Sequence, residues 1–171
     1  WTGYGNFSWC TDPQTWGVLS LGTHGPQNEQ FYRSLDWLYW NPSGSTRYQM
    51  DFSPTILDVN GFGFCTAPPN FIWVEGTEGA ACAFFAANSI TKGMYFHAQM
   101  DRVKSTNGGL PYSFSEVNPD SIRYMDNWRY NSVAGTAWFY FGQHRVNPFS
   151  IEGVTDVKPT TWGHVKDAYR R

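Results

Sequence analysis

Hydrophobic and polar residues alternate along two stretches of this chain. In residues 45–52, Tyr48, Met50 and Phe52 fall on one side and Arg47, Gln49 and Asp51 on the other. In residues 93–103, Met94, Phe96, Ala98 and Met100 oppose Tyr95, His97, Gln99 and Asp101. A period of two is the pattern of a half-buried strand. Further strands are expected over 16–21, 55–59, 70–75, 81–86, 121–125, 136–142 and 147–157. Turn signals rich in Gly, Pro and Asn separate them: NPSGS, NGFG, APPN, EGTEG, STNGG, VNPDS and SVAG. Segment 31–40 fits a helix face through Phe31, Leu35, Leu38 and Tyr39, and a strand face through Phe31, Leu35, Trp37 and Tyr39. Its aromatic content favours strand, and Pro42 ends it either way.

Many short strands punctuated by turns predict an all-β fold, a single antiparallel sandwich over residues 1–157. The last segment, 158–171, reads as a short C-terminal helix. Thr160 or Thr161 caps it, Trp162, Val165 and Tyr169 share a face, and Arg170 and Arg171 suit the negative end of the helix dipole. Such a tail either packs on its own domain or docks on a partner.

Four aromatic residues stand in a row at Trp138-Phe139-Tyr140-Phe141. On a strand, Phe139 and Phe141 would face the core. Trp138 and Tyr140, with an N–H and an O–H to satisfy, would face outward. The preceding stretch adds Tyr124, Asp126, Asn127, Trp128, Arg129 and Tyr130. Flat rings beside amides and charged groups can stack on a sugar's C–H face while the polar groups take its hydroxyls, which is the general pattern of a ligand site. The competing expectation is that these rings complete the sandwich beneath overlying loops.

Residues Phe149, Ile151, Glu152, Val154 and Thr155 form a Phe-x-Ile-acidic-x-Val-Thr pattern. It resembles the closing strand of jelly-roll carbohydrate-binding modules; Gly153 departs from that pattern and suggests a bulge. The resemblance implies a jelly-roll-like, galactose-binding-like sandwich with a sugar or glycoconjugate ligand.

Composition narrows the function classes. Charged residues are 15% of the chain, aromatics 19%, and the net charge is −2. Typical globular chains carry about 25% charged residues, so the balance leans toward extracellular β-proteins. A nucleic-acid partner is not expected without a basic excess. No apolar run approaches the roughly 18 residues of a membrane span. Beginning at Trp1 and poor in Lys, the chain is expected to have lost a signal peptide. Cys10, Cys65 and Cys82 fit no zinc spacing. In an oxidising compartment Cys65 and Cys82, each in a short apolar run, are the expected disulfide, the alternative being three buried thiols.

Candidate chemistry is sparse. The four histidines form no local metal pair, and His97 reads as a solvated residue on a polar strand face. Asp58 and Asn60 resemble half of a calcium loop without its remaining acids. Glu75 and Glu78 fall in what reads as a hairpin turn, and Asp51 and Asp101 on polar strand faces; a small Asp/Glu hydrolase ranks third. No metal or cofactor is expected. The expected function is a secreted or periplasmic, non-catalytic binding module for carbohydrate. The alternative is a structural or accessory subunit of a larger extracytoplasmic assembly, using the same aromatics as a protein interface.

Overall fold

The computed structural model describes residues 10–21, 28–40, 46–53, 55–66, 71–114 and 131–150. Five helices dominate them: α1 (Thr11–Leu21), α2 (Asn28–Trp40), α3 (Val74–Ala86), α4 (Ile90–Arg102) and α5 (Val133–His144). Six short strands complete the described chain: β1 (Arg47–Met50), β2 (Val59–Phe62), β3 (Ile72–Trp73), β4 (Leu110–Pro111), β5 (Ser113–Phe114) and β6 (Asn131–Ser132). They pair antiparallel, two by two, as β1–β2, β3–β5 and β4–β6. The expected all-β, jelly-roll-like sandwich is therefore wrong, and the fold mixes a helix cluster with small two-stranded ribbons.

The cause is visible in α4. The residues it buries are Gly93, Phe96 and Met100, with Val103 just beyond its end, a spacing of three and four. Phe96 and Met100 are both even-numbered, so one helix face also reads as half of an alternation. Met94, expected inside, is instead exposed. Segment 136–142, also expected as a strand, lies in α5. Its buried positions Gly135, Trp138, Phe139 and Gly142 run i, i+3, i+4, i+7, the stripe of an amphipathic helix. Ser132 caps this helix by accepting a hydrogen bond from the Gly135 N–H at 3.1 Å, and Arg145 closes it at φ 53°. Segments 16–21 and 31–40, also expected as strands, lie in α1 and α2.

Helix α3 is the centre of the cluster. Every residue from Gly76 to Phe84 is buried, and the helix packs on α1, α4 and α5. A helix buried on nearly every side and rich in Ala and Gly lets neighbouring backbones come close. The EGTEG segment, expected as a hairpin turn, is the first half of this helix. Burial outweighs the low helix propensity of Gly76 and Gly79 here. Thr77 pins β2 to the helix: its hydroxyl accepts from the Phe62 N–H at 2.9 Å and donates to the Trp73 carbonyl at 2.8 Å.

Two apolar clusters fill the interior. One joins Val18, Leu19, Leu35 and Leu38 to Phe84, Phe96 and Trp138, and the other joins Met50, Val59 and Ile72 to Met100, Leu110 and Phe139. The strand expected over 45–52 is present as β1, whereas NGFG, expected as a turn, lies within β2 and at its end. The strand expected at 121–125, most of that at 147–157, and the C-terminal helix at 158–171 fall outside the described residues. Of 147–157, Asn147–Ser150 is described and forms a turn, with the Ser150 N–H donating to the Asn147 carbonyl.

The disulfide also differs from expectation. Cys10 is bonded to Cys65, and Cys82 is a buried free thiol. Cys10 and Cys65 face one another across an antiparallel bridge. Cys82 sits in the middle of α3, its Sγ 3.9 Å from the Trp138 carbonyl.

Candidate functional site

Three helices begin at one end of the cluster. The Thr11 N–H donates to the Phe64 carbonyl at 2.8 Å, and the neighbouring Cys10–Cys65 bond holds the start of α1 there. Phe64 meets the Trp73 ring edge-on at 5.1 Å, just before α3. The Val74 N–H donates to the Tyr112 carbonyl at 3.1 Å, and Tyr112 separates β4 from β5. Pairing of β4 with β6 brings the start of α5 to the same place.

Two carboxyl groups stand at this end, Asp12 in the first turn of α1 and Glu75 in the first turn of α3. Burial pushes the Asp12 carboxyl up to about 6, and the Glu75 charge adds to the rise. Burial also raises Glu75, with the Trp138 indole N–H beside it opposing the rise. The Tyr112 phenol is raised by burial and then by the charges of Glu75 and Asp12. The Asp12 carboxyl and the Tyr112 phenol thus both lie within the field of Glu75. Asp12 Oδ1 is moreover buried without a hydrogen-bond partner among the described residues, as is Trp73 Nε1.

Aromatic rings border the acids. Trp16, one turn along α1 from Asp12, stacks on Trp138 with centroids 6.3 Å apart and planes 12° from parallel. Phe149 tilts against both, at 5.8 Å from Trp16 and 5.9 Å from Trp138. Trp16 is 38% exposed whereas Trp138 is 8% exposed, so the outer indole offers a ring and the inner one supports it. An exposed indole backed by rings, beside carboxyls able to accept or donate hydrogen bonds, suits a ligand with both C–H faces and hydroxyls.

A second titratable pair lies deeper. Glu78, wholly buried on α3, meets His97 of α4, and Glu78 Oε1 has no partner among the described residues. Burial drives the Glu78 carboxyl up to about 7, against the hydrogen bond and charge of His97. Asp101 adds to the rise. His97, expected as a solvated strand residue, instead stacks on Phe139 at 4.4 Å. Burial, then the Glu78 charge, pushes the Cys82 thiol well above its usual range.

Of the ligand residues expected from sequence, Tyr124, Asp126, Asn127, Trp128, Arg129 and Tyr130 lie outside the described residues. Trp138 and Tyr140 are described, and they do not share a face. Two positions apart on a helix they point to opposite sides; Trp138 turns into the core while Tyr140 stays 58% exposed, against His144. Phe139, expected in the core, is buried there, and Phe141 is half-buried. The sequence reading passed over Asp12, Trp16 and Tyr112, and set Glu75 aside with its supposed turn. One signal for Asp12 was present: Thr11-Asp12-Pro13 carries the cap-type residues and early proline of a helix start.

Among the described residues, no group of three His, Cys, Asp or Glu side chains could hold a metal ion. No helix among them is long and apolar enough to cross a membrane. The chain matches no family model, no curated protein and no solved structure.

Proposed function

We propose that the chain binds carbohydrate at the end of the helix cluster marked by Asp12, Trp16, Glu75 and Tyr112. The observation that carries this reading is the half-exposed Trp16 ring stacked on Trp138, one helical turn from the Asp12 carboxyl that Glu75 also influences. A pyranose offers its C–H face to an indole and its hydroxyls to carboxyls, so this combination matches both sides of a sugar. The Cys10–Cys65 bond suits an oxidising, extracytoplasmic compartment. The test is a glycan array followed by titration calorimetry on the glycans retained. Trp16→Ala is expected to weaken binding by about tenfold, the value of losing one stacked ring. Undiminished binding by a Trp16→Ala, Asp12→Asn double variant would sink the proposal.

The raised Asp12 carboxyl favours a second reading at the same place. A carboxyl raised to about 6 that feels the charge of a second acid is one ingredient of the general-acid step of glycoside hydrolysis. Here Glu75→Gln should abolish release of reducing sugar from a retained glycan while leaving its binding within about threefold. Failure of the unaltered protein to release any reducing sugar would leave binding alone as the function.

A further inference from the structure

The face of α5 turned away from Trp138 carries a cleft of about 550 Å³. Its lining includes Asn107, Gly108, Asn131, Thr136, Ala137 and Tyr140, and none of its lining residues is charged. It is an open, shallow cleft, of the kind that takes one face of a ligand.

The polar groups of the cleft are held in place. The Asn131 side-chain amide donates to Asn107 Oδ1 at 2.8 Å, and the Gly109 N–H donates to the same oxygen at 3.1 Å. The loop beneath is a closed turn in which the Ser105 N–H donates to the Gly109 carbonyl, and the Gly108 N–H to the Ser105 carbonyl, both at 2.9 Å. Two glycines are required for it. Gly108 has φ +86°, and a Cβ on Gly109 would stand 2.3 Å from the Asn131 side chain. Thr136 Oγ1 accepts from the Leu110 N–H at 3.2 Å, which leaves its own hydrogen to donate. Among the described residues, nothing accepts from the Asn107 side-chain N–H groups, and Tyr140 supplies an exposed ring and hydroxyl.

We infer that this cleft, on the opposite face of α5 from Trp138, is a second binding site, for a neutral sugar unit stacked on Tyr140 and hydrogen-bonded to Asn107, Asn131 and Thr136. A rigid amide pair, a free hydroxyl and one ring satisfy a polyol's donors and acceptors. With no cation or carboxylate among the described lining residues, the cleft offers an ionic ligand no counter-charge, which favours neutral sugars over phosphorylated and uronic ones. The site stands on its own residues and does not depend on the acid pair being a sugar site.

The experiment is two-dimensional NMR of the whole chain titrated with neutral glucose-, mannose-, xylose- and N-acetylglucosamine-based tetrasaccharides, with a polygalacturonate tetrasaccharide as the charged comparison. At least one neutral tetrasaccharide should shift the side-chain amide resonances of Asn107 and Asn131. Tyr140→Ala, a change at an exposed position, should weaken that response about tenfold, and Thr136→Val about threefold. The shifts should persist in an Asp12→Asn, Glu75→Gln variant, which separates this site from the other. The inference is overturned if no neutral tetrasaccharide moves the two amides, if only the charged one does, or if the Tyr140→Ala protein responds like the unaltered one.

Discussion

His97 Nδ1 of α4 lies 3.1 Å from Glu78 Oε2 of α3, and the glutamate is wholly buried. Gly142 of α5 leaves the space that the pair occupies: a Cβ there would stand 2.6 Å from Glu78 Oε2 and 3.0 Å from His97 Nδ1. Three helices thus meet at a polar contact inside an otherwise apolar cluster. A buried carboxyl with one oxygen unsatisfied is a costly feature whose cost depends on pH.

Glu78 sets a pH dependence of stability. Its carboxyl holds a proton up to about pH 7 in the folded chain, against 4.5 in the unfolded one, so protonation favours folding. This contribution is complete below about pH 4.5 and is lost as the pH rises to about 7. The loss amounts to roughly 3 kcal/mol. Glu78→Gln keeps the size and removes the charge, so it should flatten the profile and raise Tm at about pH 8. Thermal melts across that range provide the measurement, and parallel profiles for variant and parent would refute the assignment.

Gly142→Ala should destabilise the chain by about 1–3 kcal/mol through overpacking, despite the better helix propensity of alanine. Because the obstructing atom belongs to Glu78, combining it with Glu78→Ala should cost clearly less than the sum of the two single changes. Urea titrations of the four proteins form the cycle. Additive costs would mean that Gly142 is small for another reason.

The Cys10–Cys65 bond spans a sequence separation of 55 residues. In the chain-entropy account, closing a loop of that length contributes about 4 kcal/mol. Reduction, or Cys10→Ser, should lower the urea midpoint accordingly. Cys82 gives the companion readout: a chromogenic thiol reagent should find no reactive cysteine in the folded, oxidised chain and one after unfolding. One fast-reacting thiol in the native protein would contradict the buried position of Cys82.

Asp12 carries a smaller dependence of the same sign. Its raised carboxyl contributes stability below about pH 3.8 that is lost as the pH rises to about 6. Because the group is only half-buried, solvent discounts the effect. Asp12→Asn should raise Tm at about pH 8 and leave it unchanged at about pH 3. An equal shift at both would place the effect in packing rather than charge.

Legibility in the sequence varied by segment. The alternation over 45–52 led to β1, where Met50 is buried and Gln49 is exposed. The STNGG signal marked a real turn, closed through Gly108 at positive φ. Alternation misled over 93–103, because Phe96 and Met100 satisfy both periods over so short a run. Runs of aromatic residues point toward strands, yet Trp138 and Phe139 are adjacent and both buried, which a half-buried strand does not allow and a helix stripe permits. The acid pair was invisible for a different reason: Asp12 and Glu75 are far apart in sequence, and only the packing of α1 on α3 brings Asp12 within the field of Glu75.

What the amino-acid sequence determined alone was local: where backbone turns are cheap, where helices can start, the low charge, and the shortness of every apolar run. Tertiary structure decided the rest. It chose helix over strand for the aromatic segments, because burying Gly135, Trp138, Phe139 and Gly142 together against α3 requires a period of 3.6. It joined Cys65 to Cys10 rather than Cys82, and it raised the carboxyls of Asp12, Glu75 and Glu78 by removing them from water. Desolvation and pairing depend on distances between segments remote along the chain, and those distances exist only once the helices have packed.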